Sequence, residues 1–140
     1  MEPIYTAEVL ATGEGRGGHV RSTDGLIDFA LALPKEMGGA GDAPNPELLF
    51  AAGYAACFHG ALKLVARNEN VAIDDSTIGA RVTIGKLDNG GFGLAVELEI
   101  TIPELEHEKA VDLANKAHEV CPYSNATRGN IEVKITVTED

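Results

Sequence analysis

Basic residues, cysteines and repeated segments are scarce in this 140-residue sequence, and each shortage excludes a class of protein. The 11 Lys and Arg residues are outnumbered by 22 Asp and Glu, which gives a net charge of -11. Neither nucleic acid nor an anionic membrane surface attracts so acidic a protein, so we expect neither as a partner. There is no internal repeat and no low-complexity tract, and the length suits one domain over residues 1–140.

The first residues, MEPIYTAEVL, lack the charged segment and apolar run of a signal peptide. We therefore expect a cytoplasmic protein in a reducing environment. In that environment the two cysteines, Cys57 and Cys121, are expected to be free, catalytic or metal-bound thiols rather than a static disulfide.

The ligand pattern for a metal is incomplete. His118 and Cys121 have the i, i+3 spacing that places two ligands on one helix face, but Cys57 and His59 are two residues apart and point to different sides of a helix. No CxxC or HxxxH motif completes a four-ligand set of the structural zinc type. We expect no metal, with His59 as a helix or interface residue and His118 packing or capping.

A long helix is predicted over residues 45–70, NPELLFAAGYAACFHGALKLVARNEN. Asn45 is a good N-cap, Pro46 suits the first turn, and Glu47 complements the positive end of the helix dipole. No polar stripe appears before Lys63, and the segment is too short and too polar at its ends to span a bilayer, so we expect burial on all sides. One small domain does not easily cover such a helix, which predicts an identical partner chain.

The rest of the chain alternates between strand and helix patterns. Strands are predicted over residues 5–12, 19–22, 26–33 and 131–138, and on either side of a hairpin turn at residues 88–91. A second amphipathic helix is predicted over about residues 104–120, stopped by Pro122. The connection over residues 34–46 is long enough to suggest a function. Strands, helix, strands, helix and strand with antiparallel hairpins predict an α+β fold.

The two cysteines lie on the apolar faces of different predicted helices, Cys57 in the middle of the first and Cys121 at the end of the second. Each could be an inert, buried small side chain. Two thiols that meet across one core would instead support peroxide chemistry, in which a thiolate becomes a sulfenic acid and a resolving thiol condenses with it to a disulfide.

An attacking cysteine must be ionised, and because burial opposes ionisation a cation has to lie close to it. Arg16, among the glycines of residues 13–18, is our candidate, and Glu47 is the carboxylate that would hold its guanidinium. Their alternatives are a solvated loop residue and a helix-dipole partner. Glu47 and Cys57 are separated by about 15 Å along one helix, so we favour a site shared across a dimer interface.

Three segments resemble the organic hydroperoxide resistance (Ohr) proteins of the OsmC/Ohr superfamily. They are YTA…ATG…R near the start, NPELLFAAGYAACF around Cys57 and AHEVCPYSNATRGNI around Cys121. The resemblance covers essentially the whole chain. It implies an OsmC/Ohr-like fold, with antiparallel sheets wrapped around two central helices, in an intertwined homodimer with two sites at the subunit interface.

The resemblance also implies an activity, that of a thiol-dependent peroxidase in oxidative stress defence that prefers organic and fatty-acid hydroperoxides to hydrogen peroxide. By the same resemblance Cys57 is the peroxidatic cysteine, Cys121 the resolving cysteine, Arg16 the activator of the thiolate and Glu47 the residue that holds Arg16. The disulfide would be reduced by dihydrolipoyl groups on a lipoylated protein rather than by thioredoxin, and no bound cofactor is expected.

One loop departs from the family pattern. The family loop is commonly TGGRDGR, whereas residues 12–19 read TGEGRGGH, with Glu14 as an extra residue and His19 in place of a second basic residue. Arg16 is matched by its distance to the strand that follows, and Arg21 is the nearest competing cation.

Two other interpretations remain open. The sister OsmC branch has the same thiols with a different substrate range, although the CPYSNA turn favours the Ohr branch. A binding module would hold a lipid-like ligand in an apolar pocket, with the cysteines only packing. In the peroxidase interpretation, Phe50, Phe58 and the loop over residues 34–44 are expected to favour an alkyl tail.

Overall fold

The structure, a computed structural model, describes residues 1–139. The chain divides into two units, the first spanning Met1–Leu49 and the second beginning at Phe50. The single domain expected over residues 1–140 stays a prediction.

The first unit contains a three-stranded antiparallel sheet in the order β1-β2-β3. Its strands are β1 (Val9–Thr12), β2 (His19–Ser22) and β3 (Asp28–Ala30). Two of them are shorter than the predictions for residues 5–12 and 26–33. Tyr5 and Leu26, which lie in the predicted extensions, are exposed. Single backbone hydrogen bonds continue next to the strand ends, from the Thr23 N–H to the Glu8 carbonyl and from the Leu31 N–H to the Gly18 carbonyl, but the strands themselves end there.

The second unit contains the longer sheet, in the order β4-β5-β6. β4 (Thr77–Lys86) and β5 (Phe92–Thr101) form the predicted antiparallel hairpin. β6 (Val133–Val137) pairs with β5 in parallel, so this sheet is mixed and not wholly antiparallel as expected. The helices between β5 and β6 explain the difference, because a crossover connection brings the chain back in the same direction. The α+β class is confirmed.

The first helix, α1, spans Pro46–Asn68, and the predicted cap is present, since the Leu48 N–H donates to Asn45 Oδ1 at 2.8 Å. By length and composition alone, this 23-residue helix is able to cross a bilayer, which corrects the expectation that it is too short. Six of its side chains are nevertheless buried in the protein: Tyr54, Phe58, Ala61, Leu62, Val65 and Ala66. We therefore describe it as a core helix.

Burial of α1 on all sides does not hold within one chain. Leu48 and Leu64 are 57% and 45% exposed, respectively. The buried face of α1 packs in the core of the second unit, with Leu62, Leu98 and Leu113 fully buried. Each such leucine contributes about 1.5–3 kcal/mol by leaving water, so this core fixes the part of α1 that carries Cys57.

The second helix, α2, spans His107–Val120 and starts three residues later than predicted. Glu104 adopts a left-handed backbone with φ of 66°, which a helix does not contain. The helix ends as expected, but Pro122 also begins a short helix, α3 (Pro122–Thr127), where the sequence suggested only a turn. Between the two helices Cys121 is extended, with φ of -65° and ψ of 123°, the conformation that a following proline imposes.

Candidate active site

The structure brings the two cysteines together although they are 64 residues apart, with their sulfur atoms at 3.4 Å. Cys57 is half-buried in the middle of α1, and Cys121 is fully buried between α2 and α3. Both are free thiols. A disulfide bond is about 2.05 Å long, so the sulfurs have to approach by roughly 1.4 Å to form one. The meeting of two thiols across one core is as the sequence predicts.

The corner that carries Cys121 is held by its backbone. The Cys121 N–H donates to the carbonyl of Ala117 at 2.9 Å, and the Cys121 carbonyl accepts from the Asn125 N–H at 2.9 Å. Cys121 thus continues the hydrogen bonding of α2 and starts that of α3. Its side chain enters the core from this corner.

Burial raises the pKa of the Cys57 thiol. The backbone N–H of Tyr123 donates to the sulfur and lowers this pKa, and the neighbouring Cys121 raises it again. Since the pKa is raised overall, the neutral thiol is favoured over the thiolate. Any chemistry that starts from the Cys57 thiolate therefore needs a positive group beside the sulfur.

Arg16 and Glu47 form an ion pair in the first unit, with Arg16 Nη1 at 2.6 Å from Glu47 Oε1. Their side chains are 41% and 14% exposed, respectively. Arg16 lies in a 3-10 turn, Gly15–Gly17, that joins β1 to β2. Gly18 closes this loop, and a Cβ atom there would lie 2.2 Å from the Thr12 carbonyl oxygen.

Arg21, the competing cation, has a different partner. Its Nε lies 3.8 Å from Asp28 Oδ2 and its side chain is 69% exposed. His19 also reaches Asp28, through Nε2 at 2.6 Å. Arg16 rather than Arg21 therefore pairs with Glu47. The role of Arg16 toward Cys57 stays a prediction, because the two pairs of residues belong to separate units.

A buried group of hydroxyls, not foreseen from the sequence, lies beside the two cysteines. We call it the hydroxyl network: Tyr54, Ser124, Thr127 and the ring of His118. Tyr54 Oη lies 2.8 Å from Ser124 Oγ and 3.1 Å from Thr127 Oγ1, and His118 Nδ1 lies 2.8 Å from Ser124 Oγ. A signal was available, since Tyr54 precedes Cys57 and His118 precedes Cys121 by three residues, the spacing of one helix face.

An apolar cavity of about 360 Å³ opens next to α3. Its lining residues are Phe50, Leu94, Tyr123, Ala126, Thr127, Asn130 and Ile131. Phe50 stacks on Tyr123 with ring centroids 6.2 Å apart. Phe58, expected to line such a pocket, is fully buried in the core, which corrects that prediction. The contribution of residues 34–44, which belong to the other unit, stays a prediction.

The histidines near the two cysteines each form a hydrogen bond with a serine hydroxyl. His59 Nε2 lies 3.0 Å from Ser76 Oγ, and His118 Nδ1 is bound to Ser124. Burial lowers the pKa of both histidines. Across residues 1–139, no group of three or more His, Cys, Asp or Glu side chains is arranged to hold a metal ion.

A family model described as "OsmC-like protein" matches residues 39–136. Three of the four predicted site residues, Glu47, Cys57 and Cys121, lie inside the matched range, and Arg16 precedes it. The chain is 51% identical over 136 residues to the organic hydroperoxide resistance protein of Xanthomonas axonopodis pv. citri, covering 96% of this chain and 94% of that protein. It is 47% identical over 132 residues to the organic hydroperoxide resistance protein OhrB of Bacillus subtilis, covering 94% of this chain and 96% of that protein.

Solved structures show the same similarity. The crystal structure of an organic hydroperoxide resistance protein from Elizabethkingia anophelis, with crystallant-derived thiocyanate bound, superposes with a TM-score of 0.94. Its sequence is 54% identical, and the match covers 100% of both chains. The similarity therefore extends over both units, the loop of Arg16 included.

Proposed function

The chain belongs to the OsmC-like family, and on this basis we propose that it is a thiol-dependent peroxidase that reduces organic hydroperoxides to alcohols. The observation that carries the proposal is the 3.4 Å separation of the Cys57 and Cys121 sulfurs. Two free thiols at this distance are able to be oxidised to a disulfide without rearrangement of the core. The role that follows is defence against peroxides.

In the first step the Cys57 thiolate attacks the terminal oxygen of the hydroperoxide, the one that carries hydrogen. The S–O bond forms as the O–O bond breaks, so the sulfur is oxidised and the hydroperoxide is reduced. The leaving alkoxide takes a proton and departs as the alcohol. Cys57 is left as a sulfenic acid.

In the second step Cys121 attacks the oxidised sulfur of Cys57. The S–S bond forms, the S–O bond breaks, and hydroxide leaves as water with the proton of the Cys121 thiol. Cys121 needs no access to the substrate for this step. Its complete burial beside Cys57 is therefore compatible with the resolving role.

Arg16, held by Glu47, is the cation that we propose for the first step. The raised pKa of the Cys57 thiol creates the need for a positive group. The 2.6 Å pairing with Glu47 supports the proposal, because it fixes the orientation of the guanidinium. Arg16 would stabilise both the thiolate and the negative charge that develops on the alkoxide.

An alkyl substrate is supported by the cavity next to α3. Tyr123 lines this cavity, and its backbone N–H lowers the pKa of the Cys57 thiol, so the cavity lies beside the residue that carries the reactive sulfur. Apolar walls favour a hydrocarbon tail and offer few partners to hydrogen peroxide. Organic hydroperoxides are accordingly the proposed substrates.

The remaining parts of the proposal concern partners. A dihydrolipoyl group of a lipoylated protein would reduce the Cys57–Cys121 disulfide by thiol exchange, so no bound cofactor is needed. The apolar side chains of Leu48 and Leu64 on the exposed side of α1 support a homodimer, with the sites at the subunit interface. A disulfide that has to be reduced in every cycle needs a reducing compartment, which supports a cytoplasmic location.

The test mixes the reduced protein with one equivalent of cumene hydroperoxide and follows free thiols and intact mass. The proposal predicts the loss of both thiols, the loss of two hydrogen atoms per chain, and a cross-linked peptide pair that contains Cys57 and Cys121. Unchanged thiols would favour the binding module. Equal rates with hydrogen peroxide and cumene hydroperoxide would contradict the substrate preference and favour the sister OsmC branch.

The reductant and the dimer have their own measurements. Dihydrolipoamide is expected to sustain turnover better than reduced thioredoxin, and equal support from both would contradict the proposed donor. Sedimentation equilibrium is expected to give twice the 14.7 kDa chain mass. A fully active monomer would exclude a shared site.

A further inference from the structure

The hydroxyl network joins the helix of Cys57 to the corner of Cys121, and we propose that it positions Cys121 for disulfide closure. In this inference, which rests on the proposed function, Tyr54, Ser124 and His118 set the rate at which Cys121 attacks oxidised Cys57. They do not set the rate at which Cys57 reduces the hydroperoxide. They are positioning residues and not catalytic ones.

The contacts place the network where it can do this. Tyr54 is fully buried on α1, three residues before Cys57, and its hydroxyl reaches the two side chains of α3 that follow Cys121, Ser124 and Thr127. His118, on the last turn of α2, reaches Ser124 from the other side of Cys121. One phenol oxygen therefore ties α1 to α3, and one serine oxygen ties α3 to α2.

The protons of the network run in one direction. Thr127 Oγ1 lies 3.3 Å from the Ser124 carbonyl, which only accepts, so the Thr127 hydroxyl is the donor there. Each hydroxyl has a single proton, so Thr127 must accept from Tyr54, and Tyr54 must accept from the Ser124 hydroxyl. Ser124 Oγ then accepts from His118, which places a proton on His118 Nδ1.

In this arrangement each of the three hydroxyls uses its only proton in one hydrogen bond of the network. When the Tyr54 oxygen is removed, the Ser124 hydroxyl loses its acceptor and the Thr127 oxygen loses its donor, both at buried positions. The hydrogen bonds that tie α3 to α1 are then gone. Cys121 occupies the single extended residue between α2 and α3, so its sulfur is the group that such a loss displaces.

Cys57 is held by its helix and not by the network, so peroxide reduction and disulfide closure should respond differently to loss of the network. It lies in the interior of α1, whose backbone hydrogen bonds and buried face do not depend on the Tyr54 hydroxyl. Reduction of the hydroperoxide at Cys57 should therefore depend on the network far less than closure does, and only through the Tyr123 N–H of α3, which lowers the pKa of the Cys57 thiol. Closure, which requires the sulfurs to approach by roughly 1.4 Å, should be sensitive to it.

The experiment measures the two steps separately in Tyr54→Phe, with Tyr5→Phe as the matched control, since Tyr5 is exposed and loses the same oxygen. Rapid mixing with one equivalent of cumene hydroperoxide gives the rate of peroxide loss. Quenching with an alkylating agent at later times gives the rate of disulfide formation. Dimedone trapping reports the sulfenic acid that waits between the two steps.

For Tyr54→Phe we expect peroxide loss within about twofold of wild type, closure slowed about tenfold, and more trapped sulfenic acid. Ser124→Ala is expected to change the same step in the same direction, and Tyr5→Phe to change neither. Unaltered closure in both network variants would overturn the inference, as would slowing of both steps by the same factor.

Failure of the proposed function would look different. Wild-type protein would then keep both thiols in the presence of hydroperoxide, and there would be no closure rate to compare. If Tyr54→Phe does not fold, Ser124→Ala decides the outcome by the same two rates.

Discussion

Cys57 and Cys121 lie 3.4 Å apart, yet the two regions that carry them are built differently. Cys57 is half-buried in the interior of a 23-residue helix, where the backbone on both sides is regular. Cys121 is fully buried on one extended residue between two helices, with a proline after it. The more exposed sulfur therefore belongs to the regular helix. The enclosed sulfur belongs to a corner held by two backbone hydrogen bonds and, in our proposal, by the hydroxyl network.

This difference assigns the two proposed roles without reference to any relative. A peroxide has to reach the attacking sulfur, whereas the resolving sulfur has only to reach its neighbour. Exposure and burial therefore favour Cys57 for the first step and Cys121 for the second. Exchanging the roles would require a substrate to enter the core.

Removal of the more exposed sulfur should have the largest effect. Cys57→Ser is expected to abolish hydroperoxide consumption, because a serine hydroxyl does not form a comparable nucleophile in this apolar setting. Peroxide loss and thiol content are the measurements, and the Cys121 thiol should stay reduced. Peroxide consumption at the wild-type rate would reverse the assignment of the two cysteines.

Removal of the enclosed sulfur should stop only the second step. Without added dithiol, Cys121→Ser is expected to consume one equivalent of hydroperoxide per chain and then stop, with a sulfenic acid left on Cys57. Mass spectrometry after dimedone treatment locates this acid. Wild-type first-step kinetics are the control, and a stalled first step in the variant would contradict the comparison.

The cation should affect the first step and leave the second unchanged. Arg16→Ala is expected to raise the pKa of the Cys57 thiol and to slow peroxide reduction about 10²–10³-fold, the usual effect of removing one electrostatic contact to the transition state. The pH dependence of alkylation gives this pKa. Arg21→Ala is the matched control, and the opposite result for the two variants would assign the role to Arg21.

The smallest effect concerns the histidine beside each cysteine. Burial lowers the pKa of His59 and of His118 below the ordinary value for histidine. As the pH falls, the unfolded chain therefore binds more protons than the folded chain. The stability that is present above the unfolded pKa of each histidine is lost as the pH falls from that value through the lower folded pKa. We expect the thermal midpoint to fall between about pH 7 and about pH 5.

Single variants sharpen this prediction. His59→Gln and His118→Asn should each reduce the loss of stability on acidification, because each removes one group that has to become charged. Exposed His107→Gln is the control. An unchanged pH profile in both variants would show that neither histidine contributes.

The sequence predicted the features that depend on local periodicity. The long apolar run of α1, the alternation along β4 and β5 and the apolar face of α2 each extend over many residues, so their type was clear. The partner of β6 was not predictable in this way, because alternation is the same in parallel and antiparallel pairs. α3 was missed because six residues are too few to display a helical period.

In the candidate site, too, residues that local sequence patterns mark were identified, and residues that only packing brings together were missed. The cysteines were identified from their positions on two helices and from the resemblance, and the structure places their sulfurs together. The hydroxyl network was not identified, because Tyr54 and Ser124 are 70 residues apart and meet only when α1 packs against α3. Phe58 was assigned to the pocket since its apolar character is the same in a core and in a cavity.

Gly18 limits how the arginine loop is able to vary. A Cβ atom at position 18 would collide with the Thr12 carbonyl oxygen, so no other residue fits there while the loop stays closed. Glu14, the residue that we predict to be extra relative to the family pattern, is exposed. Engineering of this segment should therefore add or exchange residues around position 14 and keep the glycine at position 18.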